Sequence, residues 1–538
     1  MTSAAARASA VAACVFVPWL NPHAGGPSAM MQPWMLAAAA TLLLWAVVVP
    51  RVSRRHLLLV LAVALLLTGI GRAAPAVLLA VGGLGMVAIT AVIGHSAASR
   101  PWLLSGIANA WLLAAVASCA IALIQYLGWS THFGPWFNPT EPGEAFGNLR
   151  QRNQFATLTS IGFAALAWKI QQGLSLRWAI PAAALLAVAN AASSSRTGAL
   201  QLFLVAVLCL IWVQVQRRQV LTACAVAVGV YVVAALVMPL AVEQSWGVIA
   251  PNAFRRLASS DGCSSRAVLW SNVLHLVAQK PWWGWGWGEL DYAHFATLYP
   301  GARFCDILDN AHNLPLHLAV ELGVPVALLA CGGFLYWVVR QRPWSESDAR
   351  RQLAWTVLAV ILLHSMLEYP LWYGPFQMAF GLALGLLWSR PNKPKQENVG
   401  RAGQRIVAAL LALVLLVAAV DYHRISQLYA QPADRSDFYR NLSLPRAGDS
   451  WLFRDQVAFA ELSVTELTRE NAGKVNALAL ELLHYSPEPR VIDSALQSAM
   501  WLGREDMALW LLARYKAAFP REARNSLDTL GATKPRAP

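Results

Sequence analysis

Charged residues are scarce in this sequence. Only 13% of the 538 residues are charged, whereas 57% are hydrophobic. This composition excludes an ordinary soluble enzyme, because so much apolar surface cannot be buried inside domains of the usual size. The chain is therefore predicted to be an all-α, polytopic membrane protein.

Acidic residues are also few: there are 28, against 42 basic residues, and the formal net charge is +14. A basic excess can indicate nucleic-acid binding, but here the basic residues are scattered between apolar runs. Short basic loops on one side of a bilayer explain that distribution better. We therefore expect a lipid bilayer as a partner and no nucleic acid.

No Cys/His cluster has the spacing of metal ligands, so we expect neither a metal nor another cofactor. Of the seven cysteines, only Cys263 and Cys305 lie outside the predicted spans, both in one long loop. If that loop is exported, its compartment is oxidising, which predicts a disulfide between them. The alternative is two free thiols that share a loop.

Thirteen apolar runs predict about 13 membrane spans, several of them short or tilted. The first is interpreted as an uncleaved span, because the apolar run before the lipoprotein-like Val11–Cys14 box is too short for a signal peptide. The runs lie at roughly 8–20, 33–50, 57–72, 75–94, 103–127, 153–170, 177–193, 198–216, 219–240, 313–339, 353–368, 374–389 and 405–421.

The positive-inside rule predicts the orientation. With a cytoplasmic N-terminus, all the clearly basic loops fall on the inner side. The outer side then carries the loops 128–152 and 241–312, the turn 369–374 and everything after 421. The basic residues concerned are Arg51, Arg54, Arg55, Arg217, Arg218, Arg340, Arg342, Arg350, Arg351, Arg390, Lys393, Lys395, Arg401 and Arg405.

The chain changes character after Asp421, which predicts a domain boundary there. Residues 1–421, including the loop 241–312, form the predicted transmembrane catalytic domain. Residues 422–538 are more charged and place apolar positions at helical spacing, as in 477–483 and Met507–Ala518. Breaks at 486–489 and 502–504 separate short helices, so this part is predicted to be a helical, repeat-like domain on the outer side.

A polar stretch directly before an apolar run organises the middle of the chain. Asp309 or Asn310 is expected to cap the helix that follows, and Pro315 is tolerated in its first turns. Asn313, His317 and Glu321 share one polar stripe, being four residues apart.

His312 lies one step off that stripe, at the predicted boundary between water and lipid. It either only satisfies local hydrogen bonds or presents its imidazole to a reactant. Four further polar motifs fall on the outer side: Phe146–Gln154, Ser193–Gly198, Pro281–Glu289 (the Trp-Gly loop) and His364–Tyr373.

Each motif has a structural and a functional interpretation. Arg196, Arg150, Arg152 and Arg266 either contact lipid headgroups or bind a diphosphate. The Trp-Gly loop is either an interfacial aromatic belt or part of a site. Glu368, near the end of a span, is costly unless it is paired or faces a cavity, which favours a role.

Together these motifs resemble those of the pilin-type O-oligosaccharyltransferases within the bacterial O-antigen ligase and polymerase superfamily. G-N-L-R-Q-R-N, S-S-S-R-T, G-W-G-E, D-N-A-H-N-L and H-S-M-L-E-Y-P-L-W-Y occur in that family's order over nearly the whole chain. The E-Y-P-L-W-Y segment is the most discriminating. The sequence departs from the pattern at Gln154, where histidine is common, and at His317, where glutamine is frequent.

The resemblance implies transfer of a preassembled glycan from undecaprenyl diphosphate to a serine or threonine hydroxyl of an exported protein such as a pilin. It places the enzyme in the bacterial inner membrane, with its site facing the periplasm. The diphosphate leaving group needs cations, which Arg196 and Arg266 supply, with Arg150 or Arg152. The hydroxyl needs a base, and neutral His312 can accept its proton.

The remaining motif residues are expected to orient or support these groups. Gln151, Glu368 and Tyr373 would orient the sugar, the acceptor or the histidine, and the supporting residues would be Asn310, Asn313, Glu321 and Tyr369. Alternatives are an O-antigen ligase that uses lipid A core sugar as acceptor, and an O-antigen polymerase. A transporter or flippase would show mid-span charges or inverted repeats, and neither is evident.

Overall fold

The computed structural model describes residues 3–50, 75–249, 262–388, 400–440, 450 and 452–532. Within these ranges the regular secondary structure is helical, without a strand, which confirms the all-α class.

Twenty α-helices carry the described residues. In chain order they are α1 (Ser3–Phe16), α2 (Met31–Val48), α3 (Pro75–Ala97), α4 (Pro101–Tyr126), α5 (Arg152–Gln171), α6 (Leu176–Ala192), α7 (Arg196–Trp212), α8 (Arg217–Trp246), α9 (Arg266–Gln279), α10 (Leu290–Ala296), α11 (Leu314–Leu322), α12 (Val324–Gln341), α13 (Ala349–Ser365), α14 (Gly374–Trp388), α15 (Arg401–Ser426), α16 (Arg454–Val464), α17 (Ala472–Leu482), α18 (Pro489–Trp501), α19 (Glu505–Ala518) and α20 (Pro520–Ala532).

The helices follow the apolar runs closely. Every predicted run within the described residues is helical, and the run 57–72 lies outside them. The described helices include six that are long and apolar enough to cross a membrane, which indicates a multi-pass membrane protein; the count of about 13 spans stays a prediction. The six are Met31–Val48, Leu79–Ala97, Pro101–Tyr126, Arg217–Trp246, Val324–Ser345 and Arg401–Ser426.

The predicted span at 313–339 is two helices instead of one. Gly323 ends α11 with φ +89°, and a Cβ atom there would collide with the backbone carbonyl of Trp282. This close approach requires glycine. The apolar segment long enough to cross a membrane begins at Val324, so α11, with His317 and Glu321, lies outside it.

The chain divides into two compact units, each built from separate segments. The first combines 1–69, 78–259 and 338–419, and the second combines 70–77, 260–337 and 420–538. The predicted boundary between residues 421 and 422 stays a prediction.

One end of the first unit gathers the basic helix ends. Arg100 donates to the Val48 carbonyl at 2.6 Å, and Arg351 donates to the Leu387 carbonyl at 2.7 Å. Gln352 at the start of α13 donates to the carbonyl of Trp212, the last residue of α7, at 3.0 Å. Arg350 of α13 also donates to the Ala98 carbonyl, just before α4. The last turns of α2, α7 and α14 therefore lie at the same end of the unit, which we call the basic end. The opposite helix ends, which carry the polar motifs, form the motif end.

The described residues of the second unit form two hydrophobic cores. In the larger one, α16 to α20 pack around residues such as Val475 and Ile492, as their helical spacing predicted, and Phe295 of α10 is buried among them. The smaller core joins α9, α10 and α11 through Leu269, Val273 and Val320. It also buries Ala311, which fixes the backbone beside His312.

Candidate functional site

The predicted site residues fall into two groups, one in each unit. Arg150, Gln151, Arg152, Arg196, Glu368, Tyr369 and Tyr373 lie at the motif end of the first unit, and Cys263, Arg266, Cys305, Asn310, His312, Asn313 and Glu321 lie in the second unit.

Asn153 joins three motifs at the motif end. Its Nδ2 donates to Glu368 Oε1 at 3.2 Å, and its Oδ1 accepts from Ser195 Oγ at 2.6 Å. The starts of α5 and α7 are thereby bonded to the turn that follows α13. Asn153 is the last residue of the motif G-N-L-R-Q-R-N, but the sequence analysis assigned it no role. Its role could have been suspected because its side chain has both a donor and an acceptor and lies one residue into a helix.

Glu368 is half-buried, and the bond to Asn153 offsets part of the cost of its burial. Tyr369 and Tyr373 follow Glu368 in the chain. Their rings stack on each other, with centroids 6.1 Å apart and an interplanar angle of 20°. The structure thus forms the E-Y-P-L-W-Y segment into a compact turn with one carboxylate and two parallel phenols.

A second polar cluster lies one helical turn further along α5 than Asn153. Thr157 Oγ1 is 2.8 Å from His364 Nδ1, and Gln201 Nε2 donates to Thr157 Oγ1 at 2.8 Å. These fully buried side chains come from α5, α13 and α7. Buried hydrogen bonds of this kind fix a single arrangement of the side chains that make them. The cluster therefore holds α5 against α7 and α13, and so positions Asn153, which lies on α5.

The residues preceding α5 make local bonds. Gln151 caps the helix, since its Oε1 accepts from the Gln154 amide at 2.6 Å. Arg152 pairs with Glu144. Arg150 donates from Nε to Asn138 Oδ1 at 3.2 Å and from Nη2 to the Pro22 carbonyl, and burial lowers the pKa of Arg150.

Arg196 and Arg266 share one structural position. Each is half-buried and is the first residue of a helix. The preceding serines are the caps: Ser195 Oγ accepts from the Gly198 amide at 2.9 Å, and Ser265 Oγ from the Val268 amide at 3.3 Å. The positive end of each helix dipole therefore adds to the charge of its guanidinium.

His312 is held in an unusual backbone conformation. Its φ is +50°, and its amide donates to Asn310 Oδ1 at 2.9 Å. Trp270 Nε1 donates to the Ala311 carbonyl at 3.1 Å, which fixes the preceding residue. The expectation that Asp309 or Asn310 caps α11 is wrong, because the cap is Asn313, whose Oδ1 accepts from the Leu316 amide at 3.1 Å.

Positive φ values concentrate in the motifs. Of the six described non-glycine residues with positive φ, three lie in polar motifs: Arg150, Ser194 and His312. Such conformations cost about 1 kcal/mol or more each and persist where the surrounding structure imposes them, commonly at functional sites.

His317 and Glu321 form a buried pair on α11. His317 Nε2 is 3.4 Å from Glu321 Oε2, and the two side chains are 3% and 1% exposed. Burial lowers the pKa of His317 to about 3, and the charge of His312 adds to that effect. Burial raises the pKa of Glu321 to about 8, although the backbone amides of Gly288 and Leu290 oppose the rise. Both groups are therefore neutral near pH 7.

The Trp-Gly loop wraps the end of α11. Trp285 N donates to the Val320 carbonyl at 2.8 Å, and Gly286 N donates to the Glu321 carbonyl at 3.0 Å. Gly284 has φ +68°, and a Cβ atom there would collide with the Glu321 backbone. The side chains of Trp282 and Trp283 are 71% and 85% exposed. The loop thus combines a packed part with two exposed indoles.

Cys263 and Cys305 form a disulfide, with Cα atoms 5.5 Å apart. The bond ties the start of α9, and hence Arg266, to the segment that leads to His312. Beside it, Ser264 Oγ donates to Asp306 Oδ2 at 3.1 Å. Among the described residues, no group of three or more His, Cys, Asp or Glu could hold a metal ion.

Three family models match the sequence. They are described as protein glycosylation ligase, over residues 145–168; O-antigen ligase, over 181–331; and the C-terminal part of a membrane-bound polymerase that is a virulence factor, over 352–529. All five motifs fall within these matches.

Two curated relatives are also similar, both from Acinetobacter baylyi. A general O-oligosaccharyltransferase is 24% identical over 333 residues, which are 59% of this chain and 56% of the relative. A ComP-specific O-oligosaccharyltransferase is 25% identical over 305 residues, which are 55% and 54% of the two chains. The chain spans about half the length of these relatives. The resemblance predicted from the motifs is confirmed.

Proposed function

We propose that this protein transfers a preassembled glycan from a polyprenyl diphosphate, undecaprenyl diphosphate in bacteria, to serine or threonine hydroxyls of exported proteins such as pilins. The names of the two relatives support a protein acceptor. The membrane-spanning helices support a lipid-linked donor, because such a donor presents its glycan at a bilayer surface.

One observation carries the proposal: at the motif end, Asn153 is hydrogen-bonded to both Ser195 and Glu368. These residues come from three motifs that are far apart in the sequence and shared with the family. A merely structural arrangement has no need of a half-buried carboxylate at the end of a span.

In the proposed reaction the bond between the anomeric carbon and the diphosphate oxygen breaks, and a bond between that carbon and the acceptor oxygen forms. His312 accepts the hydroxyl proton. The polyprenyl diphosphate departs with the bonding electron pair, so negative charge grows on it in the transition state. Arg196 and Arg266 stabilise that charge, and the N-termini of α7 and α9 contribute in the same sense.

The other motif residues have supporting roles in this proposal. Gln151, Glu368 and Tyr373 orient the sugar, the acceptor or the histidine, and Asn310 and Asn313 hold the backbone on both sides of His312. Glu321 and Tyr369 support these groups. Arg150 and Arg152 are neighbouring cations that also hold the loop before α5.

In the proposed arrangement the protein lies in the inner membrane with a cytoplasmic N-terminus. The motif end, the loop 241–312 and the helical domain 422–538 then face the periplasm, and residues 1–421 form the catalytic domain. The gathering of arginines at the opposite end of the first unit supports this orientation.

The test is reconstitution of the purified protein in lipid with an undecaprenyl-diphosphate-linked oligosaccharide and a candidate pilin. We expect the intact mass of the pilin to rise by one glycan, and Ser→Ala or Thr→Ala at the modified residue to abolish the gain. Absence of any glycan on protein acceptors would overturn the proposal.

A second candidate is an O-antigen ligase, favoured by the family-model match over residues 181–331. The same reconstitution discriminates the two when lipid A core oligosaccharide replaces the pilin. Transfer to the core sugar alone would assign the ligase activity instead.

A further inference from the structure

A cavity of about 700 Å³ lies at the surface of the first unit, between the loop after α1 and the loop after α4. His23 and Gln32 line it from one side, and Phe137 and Asn138 from the other. None of these residues belongs to the five motifs. The volume is within the range of about 300–1,000 Å³ that small-molecule sites occupy.

Hydrogen bonds hold the two walls in place. Asn148 Nδ2 donates to the carbonyls of Leu20 and Trp136, at 2.9 Å each, and so joins the two loops. Gln125 Nε2 donates to the Asn138 carbonyl at 2.9 Å. The cavity is thus formed before any ligand arrives, which lowers the entropic cost of binding.

Arg150 connects the cavity to the motif end. Its guanidinium donates to the Pro22 carbonyl on one wall and to Asn138 Oδ1 on the other. It is also three residues from Asn153, which bonds Ser195 and Glu368. The cavity and the motif cluster therefore lie at the same end of the first unit.

Most of the lining is apolar, with three prolines and one phenylalanine; its polar side chains are His23, Gln32 and Asn138, and it carries no Lys, Arg, Asp or Glu. Gln32 Oε1 accepts from the Gly25 amide at 3.1 Å, and its Nε2 makes no hydrogen bond to the described residues. The Asn138 amide retains a second hydrogen and a second lone pair. Phe137 stacks on Phe133, with ring centroids 4.6 Å apart. Planar amides suit neighbouring hydroxyls, and a fixed aromatic ring suits the C–H face of a sugar.

We propose that this cavity binds neutral sugar residues of the donor glycan beyond the one attached to the diphosphate. This inference rests on the proposed glycosyltransferase function. The diphosphate itself is disfavoured there, because the lining has no Lys or Arg and the neighbouring Arg150 guanidinium is bonded to both walls. The cavity would make the enzyme select for the length and identity of the glycan, separately from the chemical step.

The experiment compares two donors, an undecaprenyl-diphosphate-linked oligosaccharide and the corresponding linked monosaccharide. The variants are His23→Ala, Gln32→Ala and Phe137→Ala. The matched control is Thr131→Ala, an exposed residue of the same loop outside the lining. A thermal midpoint equal to that of the wild type shows that each variant is folded.

We expect the wild type to prefer the oligosaccharide donor in kcat/KM, and each lining variant to lower that preference about tenfold, as expected for the loss of one good contact. Thr131→Ala should keep it. An unchanged preference in all three folded variants overturns the inference. So does a higher KM for the acceptor protein with unchanged donor preference, because the cavity would then bind the acceptor.

A second measurement separates this inference from the proposed function. The free oligosaccharide, released from the donor by mild acid, is titrated into the protein in nanodiscs and its binding is followed by saturation-transfer NMR. Binding that is lost in Gln32→Ala and kept in Thr131→Ala supports the cavity even if the wild type transfers no glycan. Binding that is equal in both variants overturns the inference even if transfer occurs.

Discussion

The side-chain amide of Asn153 bonds a hydroxyl and a carboxylate that come from two other motifs. Its Nδ2 can meet a carboxylate and its Oδ1 a hydroxyl, whereas Asp or Ala could not satisfy both partners. The motif sequences identified the three segments, but no spacing along the chain says which residue of one motif bonds which residue of another.

At the residue scale, the first prediction concerns Arg196 and Arg266. Replacing either by Gln should weaken binding of the lipid-linked donor about tenfold or more, because a neutral amide cannot offset the phosphate charge. Binding of the acceptor should change little. Affinity for the donor is measured with the protein in nanodiscs.

The controls for the arginines are Arg177→Gln in the first unit and Arg469→Gln in the second. Both residues are exposed, and Arg177 lies at the basic end. The controls remove the same charge away from the site. Equal donor affinity in the wild type and both site variants would show that the diphosphate is held elsewhere.

The second prediction concerns His312. His312→Ala should lower the transfer rate by about 10²–10⁴, the usual contribution of a general base, while donor binding persists. The control His275→Ala removes a half-buried imidazole of the same unit, whose ring centroid lies 5.4 Å from that of Tyr299. Transfer by His312→Ala at the wild-type rate would remove His312 from the mechanism.

The third prediction concerns the buried pair on α11. The pKa of Glu321 rises to about 8 from its ordinary 4.5, so between these pH values only the unfolded chain loses the proton, and stability falls as pH rises. The pKa of His317 falls to about 3 from 6.5, so its contribution to stability rises with pH in that range. The two effects oppose each other between pH 4.5 and 6.5.

Above pH 6.5 only the Glu321 effect remains, and it should lower the stability by about 2 kcal/mol by pH 8. The thermal midpoint of the wild type should therefore fall between these pH values. In Glu321→Gln it should fall less, because that group no longer titrates. Parallel curves for the two proteins would show that Glu321 is ionised in the folded state.

At the element scale, the helices could be predicted from the sequence far better than the site could. The apolar runs carried the signal for α4, α8 and α15, because a long apolar segment in a bilayer must satisfy its backbone hydrogen bonds as a helix. The break between α11 and α12 could not be predicted from the sequence. It occurs at Gly323, where the backbone of Trp282 packs too closely for any side chain, and this contact is not visible in the sequence.

Helix caps were equally difficult to assign. Asp309, Asn310 and Asn313 all lie shortly before α11 and are all residue types that favour a helix cap, so only the tertiary structure selects Asn313. Asn310 has a different task, since it fixes the His312 amide.

The fourth prediction concerns the disulfide between Cys263 and Cys305, which closes a loop with a sequence separation of 42. Such a closure contributes roughly 4 kcal/mol in the chain-entropy model. The double variant Cys263→Ser/Cys305→Ser should therefore have a lower thermal midpoint and slower transfer, because the segments of Arg266 and His312 are no longer tied. Cys331→Ser is the control, since that thiol is free.

Mass spectrometry after alkylation provides the direct check on the disulfide. Cys263 and Cys305 should react with maleimide only after reduction in the denatured protein. Labelling of both thiols without reductant would contradict the bond.

At the scale of the whole molecule, the second unit combines a loop with the C-terminal helices. Phe295 of α10 is buried in the C-terminal core, and Arg514 Nε donates to the Ala296 carbonyl at 2.8 Å. His484 Nδ1 is 2.7 Å from Glu289 Oε2. The C-terminal helices thus hold α10, which leads directly to the segment with His312. Helical periodicity predicted those helices but not the loop against which they pack.

The fifth prediction concerns the orientation of the first unit in the membrane. Arginine-rich helix ends meet at one end and the polar motifs at the other, so the positive-inside rule predicts a cytoplasmic basic end and a periplasmic motif end.

Two exposed positions can report the orientation: Thr131 in the loop at the motif end, and Ser347 between α12 and α13 at the basic end. Thr131→Cys and Ser347→Cys are each made in a protein whose five free cysteines are replaced. In intact spheroplasts an impermeant maleimide should label the Thr131→Cys protein, and it should reach the Ser347→Cys protein only after permeabilisation. The reverse pattern would place the motif cluster in the cytoplasm, where an exported acceptor could not meet it.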